Sequence, residues 1–310
     1  MKLLAQCYLG IASLSSFAAG FSAPGGGAAT SVQALLSANQ DKIASLKTVA
    51  QSISSDAAVT PTNDVFYLRY ALESSYADDD ERTEALKSNI QWRLTDGKDI
   101  VTNAHQALQA AITAENSEWD NQPVQQAAPH GDRIFKYLTS VQCITTSHPT
   151  SSDLIYCVRA GKIDDKALMS SVSVDEMVDF FLYVKEVNAA VADIRSLKAD
   201  SLIKIVTCND MMGLKLVGGS SDFRSALSVS SKKATELYPS LSGRTLLLNL
   251  PKLLSGIVKL FTPLFPKVVM ERIRFERGPL KDVEDLVQIA KSGAARDEFI
   301  KQMDELVYGD

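Results

Sequence analysis

The chain has 310 residues, enough for about two domains at the usual size of roughly 150 residues each. Hydrophobic residues make up 45% of the chain and charged residues 22%, a globular composition that argues against a largely disordered or collagen-like protein. The formal net charge of −5 argues against a broadly basic nucleic-acid coat. Beyond the N-terminus, no run of about 18 apolar residues predicts a membrane span.

The N-terminus has the pattern of a targeting segment. Met1-Lys2 is a short basic start, an apolar stretch runs to Phe17, and the small residues Ala18-Ala19-Gly20 follow, which predicts a signal peptide over residues 1–20. The next segment, up to about Ser55, is rich in Ser and Ala and has Asp41 as its only acid, a composition typical of a plastid transit peptide. We therefore expect a transit peptide or linker over residues 21–58.

Ala19-Gly20-Phe21-Ser22-Ala23-Pro24 resembles the ASAF-AP motif of the bipartite plastid presequence of diatoms and related algae. The resemblance implies a plastid location. The alternative is a plain secretory signal followed by a flexible linker, which would send the protein into the secretory pathway.

The front of the remaining chain has helical patterns. A weak apolar stripe predicts a helix over Leu35–Ile53, and Asp64 is expected to cap a helix that buries Val65, Leu68 and Leu72. Asp78 to Glu81 predict the acidic start of another helix that ends before Gly97, and a third is expected from Ile100 to Glu115. Residues 59–122 are thus expected to form a small helical domain.

After a connector containing Pro123, Pro129 and Gly131, strand and helix patterns alternate over residues 131–310. Strands are predicted at 154–158, 202–206, 245–249 and 272–275. Helices are predicted from the capping box Ser173–Glu176 to Ile194, from Asp222 to Leu237, over 252–261, over 283–290 and over 294–307. The predicted fold class is therefore α/β, a mainly parallel sheet with right-handed crossovers behind a helical front.

Signatures of enzymes and metal sites do not occur in the chain. There is no G-x-S-x-G, P-loop or G-x-G-x-x-G motif, and His105, His130 and His148 lack metal-ligand spacing. The cysteines Cys7, Cys143, Cys157 and Cys208 form no C-x-x-C pair, which favours buried or free thiols over a disulfide framework or a zinc site. A non-enzymatic protein without a bound metal is expected.

Residues 237–270 contain no Asp or Glu, but they contain Arg244, Lys252, Lys259 and Lys267 among many apolar residues. Such a segment is suited to an anionic lipid surface, because lysine stems can lie along apolar surface while their charges stay in water. It could equally be an internal helix hairpin whose lysines face water.

Several of these segments resemble the CRAL-TRIO lipid-binding family. Tyr238-Pro239-x-x-x-Gly243 followed by Leu247-Leu248-Asn249-Leu250-Pro251 is similar to the family's YPE-x-x-G-x-x-x-x-I-N-x-P signature. Pro263-Leu264-Phe265 resembles its K-P-F-L turn, and Arg272-Ile273 resembles the start of the next strand. Leu68-Arg69-Tyr70-Ala71-Leu72 and Ile90-Gln91-Trp92-Arg93 resemble two helices of its N-terminal domain.

The resemblance implies a helical domain packed on an α/β domain, whose helices and sheet enclose an apolar cavity. The cavity is expected to hold a lipid, and no other bound molecule is expected. Cavity residues are then expected on the strands: Tyr156, Val158, Ile203, Ile205, Leu246 and Leu248. An amphipathic gate helix that touches the membrane surface is expected to carry Leu253, Leu254, Ile257, Val258, Phe261, Leu264 and Phe265. Ser240 and Arg272 are headgroup candidates, although Ser240 replaces the family's Glu.

The resemblance leaves the ligand open between a phospholipid and a tocopherol- or carotenoid-like lipid. It implies binding and exchange by a monomer, without a cofactor and without nucleic acid. Two rival functions remain at this stage: a ligand-free module that recruits a protein or membrane, and an α/β enzyme that modifies lipids.

Overall fold

The computed structural model describes residues 31–56, 59–112, 122–138, 154–213, 219–250 and 273–283, with residues 293, 294, 297, 298, 300 and 301. The N-terminal helices are α1 (Val32–Ala38), α2 (Gln40–Ile53), α3 (Asp64–Leu72), α4 (Asp79–Leu94) and α5 (Lys98–Ile112), which together are called the helical lobe here. Two short helices follow, α6 (Gln122–Gln126) and α7 (Gly131–Ile134). The remaining elements are β1 (Leu154–Arg159), α8 (Asp165–Ser171), α9 (Val174–Ala199), β2 (Ile205–Asp210), α10 (Ser221–Leu237), β3 (Ser242–Leu248) and β4 (Ile273–Phe275).

Helices α1 and α2 belong to the packed core of the lobe. Ser31 caps α1, and Asn39 separates the two helices within the segment predicted as one helix. Val32, Ile43, Leu46 and Ala50 are buried in one cluster with apolar side chains of α3 and α4. The boundary predicted at residue 58 stays a prediction, but residues 31–53 contribute directly to this core.

The ends of α3 and α4 follow from local side-chain chemistry. Asn63, one residue before the predicted Asp64, caps α3 because its side chain accepts a hydrogen bond from the backbone N–H of Val65. Asp78 caps α4 as expected. Beyond α4, a Cβ atom at Gly97 would lie 2.4 Å from the Trp92 ring, so the chain can turn tightly over this tryptophan only with glycine there.

The four strands form one parallel sheet in the order β1-β2-β3-β4, which confirms the predicted fold class. Strand β2 begins three residues later than predicted, at Ile205, because its ladder with β1 begins by pairing Leu154 with Ile205. A Cβ atom at Gly243 would lie 3.0 Å from the carbonyl oxygen of Ile205, so glycine permits the close approach of β3 to β2.

The long helix α9 begins with the predicted capping box, in which Ser173 and Glu176 satisfy each other's backbone N–H groups. Helix α10 is capped by Ser220, whereas the predicted cap Asp222 lies in its first turn. Side chains of α9 and α10 share one apolar core with Leu154, Ile203 and Ile205 of the sheet region. Both crossover helices therefore cover the same face of the sheet, called the helix face here.

Among the helices of the described ranges, none has the length and apolarity needed to cross a bilayer. Most of the two predicted C-terminal helices, and the helix predicted over 252–261, lie outside the described residues.

Candidate functional site

The carboxyl ends of β1, β2 and β3 meet at one edge of the sheet because the strands are parallel. On the helix face of this edge, Tyr156 and Val158 of β1 are half-buried. By contrast, Ile155 and Cys157, which alternate with them and point to the opposite face, are at most 5% exposed. In open α/β sheets, ligands bind near the carboxyl ends of the strands, so this half-buried edge is the candidate site.

Asn209 is the register partner of Val158 and lies on the same face of β2. Its side chain is 3% exposed, and its Nδ2 atom has no hydrogen-bond partner among the described residues. Thr207 and Thr245, which pair in register, add buried hydroxyl groups to the same face. The candidate site thus combines apolar side chains with a polar strip.

The structure divides the six predicted cavity residues between the two faces of the sheet. Tyr156 and Val158 lie at the candidate site, and Ile203 and Ile205 are buried in the helix-face core. Leu246 and Leu248 lie on the opposite face, because Leu246 pairs with Cys208 and shares its orientation. Leu247, the register partner of Asn209, occupies the corresponding position on the helix face.

The opposite face of the sheet packs as an apolar core. It is formed by Ile155, Cys157, Val206, Cys208, Leu246 and Leu248, with Leu280 and Val283 from the segment after β4. Cys157 and Cys208 are free, as expected, and they pair in register. A hydrogen bond with Cys157 and burial raise the pKa of the Cys208 thiol well above its usual value, so this thiol stays neutral and acts as an apolar group.

Ser240, a headgroup candidate, lies where the α/β part meets the helical lobe. Its backbone N–H and its hydroxyl donate hydrogen bonds to Glu73 Oε2 at 2.8 and 3.0 Å. Its backbone is left-handed, with φ at 53°, and its side chain is buried. The Ser240 hydroxyl is therefore engaged by a carboxylate of the helical lobe.

The two arginines of the N-terminal motifs hold the lobe to α9. Arg69 Nε donates to Asp193 Oδ1 at 2.7 Å, and the same guanidinium donates to the carbonyl oxygens of Ile203 and Ser240. Arg93 donates to both carboxylate oxygens of Glu186 at 3.0 and 2.7 Å. Burial is the largest single influence on Glu186 and would raise its pKa, but the charges and hydrogen bonds of Arg93 and His105 together lower that pKa to about 2.

Asn249 of the I-N-x-P motif closes the edge of the sheet. It has a left-handed backbone, with φ at 49°, and its Nδ2 atom donates to the Asp210 carboxylate at 3.0 and 3.1 Å. This contact ties the end of β3 to the end of β2. Asn249 is thus a structural tie beside the candidate site, whereas Ser240 is a structural tie at the amino end of β3, at the other end of the strand.

Other predicted residues are placed away from the candidate site or lie outside the described ranges. His105 Nε2 donates to the Glu186 carboxylate at 2.9 Å, and His130 lies near Glu176. The predicted gate residues, Arg272, His148 and Cys143 lie outside the described residues. Within the described ranges, no three His, Cys, Asp or Glu side chains come together in a way that could hold a metal ion.

Two buried polar residues were not predicted from the sequence. Asn209 could have been suspected because the polar pair Asn209-Asp210 ends an apolar strand run. Lys185 interrupts the apolar pattern of α9, and burial lowers its pKa to about 8.

A pocket of about 550 Å³ between α1, α2 and α4 is lined by polar side chains, including Lys42, Asp79 and Arg82.

Comparisons with known proteins identify the domain that contains this edge. The family model described as CRAL/TRIO domain matches residues 143–290. No curated protein matches the chain. The chain is similar to a solved structure, "Crystal structure of Sfh5", with 14% identity, 72% of this chain and 66% of that chain covered, and a TM-score of 0.42. It thus spans slightly less than two thirds of that structure. The residues that the CRAL/TRIO domain model matches, 143–290, include the four strands that the structure describes.

Proposed function

We propose that this protein binds a lipid at the carboxyl edge of its sheet and exchanges it between membranes without chemical change. CRAL/TRIO domains bind lipid ligands. The observation that carries the proposal is the half-buried, mostly apolar surface of Tyr156 and Val158 on the helix face of this domain. Moving an acyl chain through water costs about 0.8 kcal/mol per CH₂, and enclosure by apolar side chains removes that cost.

The proposed gate is the acid-free segment that follows β3. It includes Leu253, Leu254, Ile257, Val258, Phe261, Leu264 and Phe265. In the sequence it comes soon after the carboxyl end of β3, which is the edge at which the candidate site lies. Apolar residues with spaced lysines favour contact with an anionic membrane, where an opened gate could exchange lipid. Arg272 is proposed to pair with a headgroup phosphate.

Native mass spectrometry of the purified full chain is expected to show one discrete adduct, and extraction should return an unmodified lipid. The same spectrum gives the oligomeric state, for which a monomer is expected. Turnover of the lipid would instead support an enzyme. If the spectrum shows only the mass of the lipid-free protein, before and after incubation with mixed plastid lipids, the result would support a module that binds a protein partner.

Three variants test the proposed positions of the site and the gate. Val158→Trp should reduce the adduct by filling the candidate site, whereas Val229→Trp, at an exposed position of α10, should leave it unchanged. Ile257→Asp should slow lipid transfer between vesicles at least about tenfold, because a charge in an apolar membrane contact is costly. Equal adducts in the two tryptophan variants would place the ligand elsewhere.

We further propose that the protein acts in a plastid, on the basis of its signal-peptide pattern and the Phe21-Ser22-Ala23-Pro24 segment. Residues 1–60, fused to a fluorescent reporter in a diatom, are expected to direct the reporter into the plastid. Substitution of Phe21 should abolish this import. Secretion of the unsubstituted fusion would contradict the plastid proposal and leave the lipid proposal unaffected.

A further inference from the structure

Asn209 is a buried polar residue at the candidate site whose side-chain amide nitrogen has no hydrogen-bond partner among the described residues. Its Nδ2 atom carries two N–H donors and has no partner among the described residues. Leaving a buried donor unpaired is unfavourable, and native proteins contain few such groups. An asparagine at this position therefore indicates a partner from outside the fold.

The neighbours of Asn209 explain why the fold does not pair it. Its register partners on the two adjacent strands are Val158 and Leu247, whose side chains offer no hydrogen-bond acceptor. Val158 is half-buried, so the surface beside the Asn209 amide is not fully covered. A ligand lying on Tyr156 and Val158 would come directly beside the free donor.

The charge around Asn209 favours a neutral acceptor over an anionic one. The next residue, Asp210, is a buried carboxylate that already accepts from the Met212 backbone N–H at 2.8 Å and from Asn249. By alternation Asp210 points to the opposite face of the sheet, where its register partner is the buried Arg159. The register neighbours of Asn209, Val158 and Leu247, carry no positive charge that could balance a phosphate, so a neutral acceptor is favoured. A carbonyl oxygen carries no net charge and lies next to the acyl chains of an ester lipid.

We propose that Asn209 Nδ2 donates a hydrogen bond to an ester carbonyl of the bound lipid, so that the site selects acyl-ester lipids. The proposal rests on the proposed function, since it requires a lipid at this edge. It makes Asn209 a specificity-determining residue: an apolar side chain there would hold acyl chains equally well but would not recognise the carbonyl.

The test compares two probes that differ in the carbonyl alone, dioleoyl phosphatidylcholine and its diether analogue. Delipidated full-length protein is incubated with an equimolar mixture, and bound lipid is counted by native mass spectrometry. The unsubstituted protein is expected to prefer the ester at least about fivefold, the ratio that corresponds to one net hydrogen bond. Asn209→Leu should bring the ratio to about one.

Cys208→Val is the matched control, because it changes the preceding residue of the same strand on the opposite face and should keep the unsubstituted ratio. Asn209→Leu should also raise the Tm of the lipid-free protein by roughly 2–4 °C, because an unpaired buried donor is removed. If this variant does not fold, Asn209→Val serves in the same comparison.

The outcomes separate the two proposals. The proposed function, and this inference with it, would be overturned if the unsubstituted protein bound neither probe and also carried no lipid adduct when purified. Equal binding of both probes, or an ester preference that survives in Asn209→Leu, would overturn the inference alone.

Discussion

Deleting residues 1–57 is expected to unfold the helical lobe, whereas deleting residues 1–30 is expected to leave a cooperative thermal transition. The longer deletion removes Val32, Ile43 and Leu46, which are buried against α3 and α4. At about 1.5–3 kcal/mol for each buried side chain, the loss is roughly 5–9 kcal/mol. That loss approaches the whole stability of a typical domain.

The start of α1 is also tied to the far end of α9. The Ser31 hydroxyl and the Gln33 backbone N–H both donate to Asp200 Oδ1, at 2.9 and 3.0 Å. A protein shortened to Ser31 keeps these contacts, and one shortened to residue 58 loses them. Circular dichroism melts of the two deletion proteins check the prediction, and equal melting temperatures would contradict it.

This prediction bears on targeting. Cleavage at residue 58 would remove the two packed helices α1 and α2. If the proposed presequence is cleaved, we therefore expect the new N-terminus at or before Ser31. The N-terminal peptide of the full chain, after its expression in a diatom, would test this expectation. A first residue beyond Ile53 would show that the lobe forms without α1 and α2.

Sequence periodicity predicted the elements well where local chemistry determines them. The capping box at Ser173 and Glu176 and the acidic start of α4 depend on residues within one helical turn, so they can be read directly. The α1–α2 segment was harder to predict, because its apolar stripe is weak and is buried only through contact with side chains of α3 and α4.

The face of a buried strand could not be predicted from its own residues. Leu246-Leu247-Leu248 has no alternation, and only the pairing of Leu246 with Cys208 shows that Leu247 faces the helices. The role of Ser240 was equally hidden, because its partner Glu73 lies 167 residues earlier in the chain. Long-range pairings of this kind leave no local signal.

Replacing Arg93 with Met is expected to cost about 3–5 kcal/mol in the free energy of unfolding at neutral pH. The Glu186 carboxylate is 2% exposed, so the variant leaves a charge buried without its guanidinium partner. Lys87→Met is the control in the same helix: Lys87 pairs with Glu84 in an exposed contact, which should contribute less than about 1 kcal/mol.

A double variant and a pH series separate the lost ion pair from lost packing. Arg93→Met combined with Glu186→Met should recover much of the stability, because no charge then remains buried without a partner.

In the unsubstituted protein the pKa of Glu186 is about 2, below its usual value of 4.5, so the contribution of its ionised form to the free energy of unfolding is fully present above pH 4.5. That contribution is lost as the pH falls toward 2. The deficit of Arg93→Met relative to the unsubstituted protein should therefore narrow over this range in urea titrations. A deficit that stays constant from pH 7 to pH 2 would mean that Arg93 acts through packing against its neighbours and not through its charge.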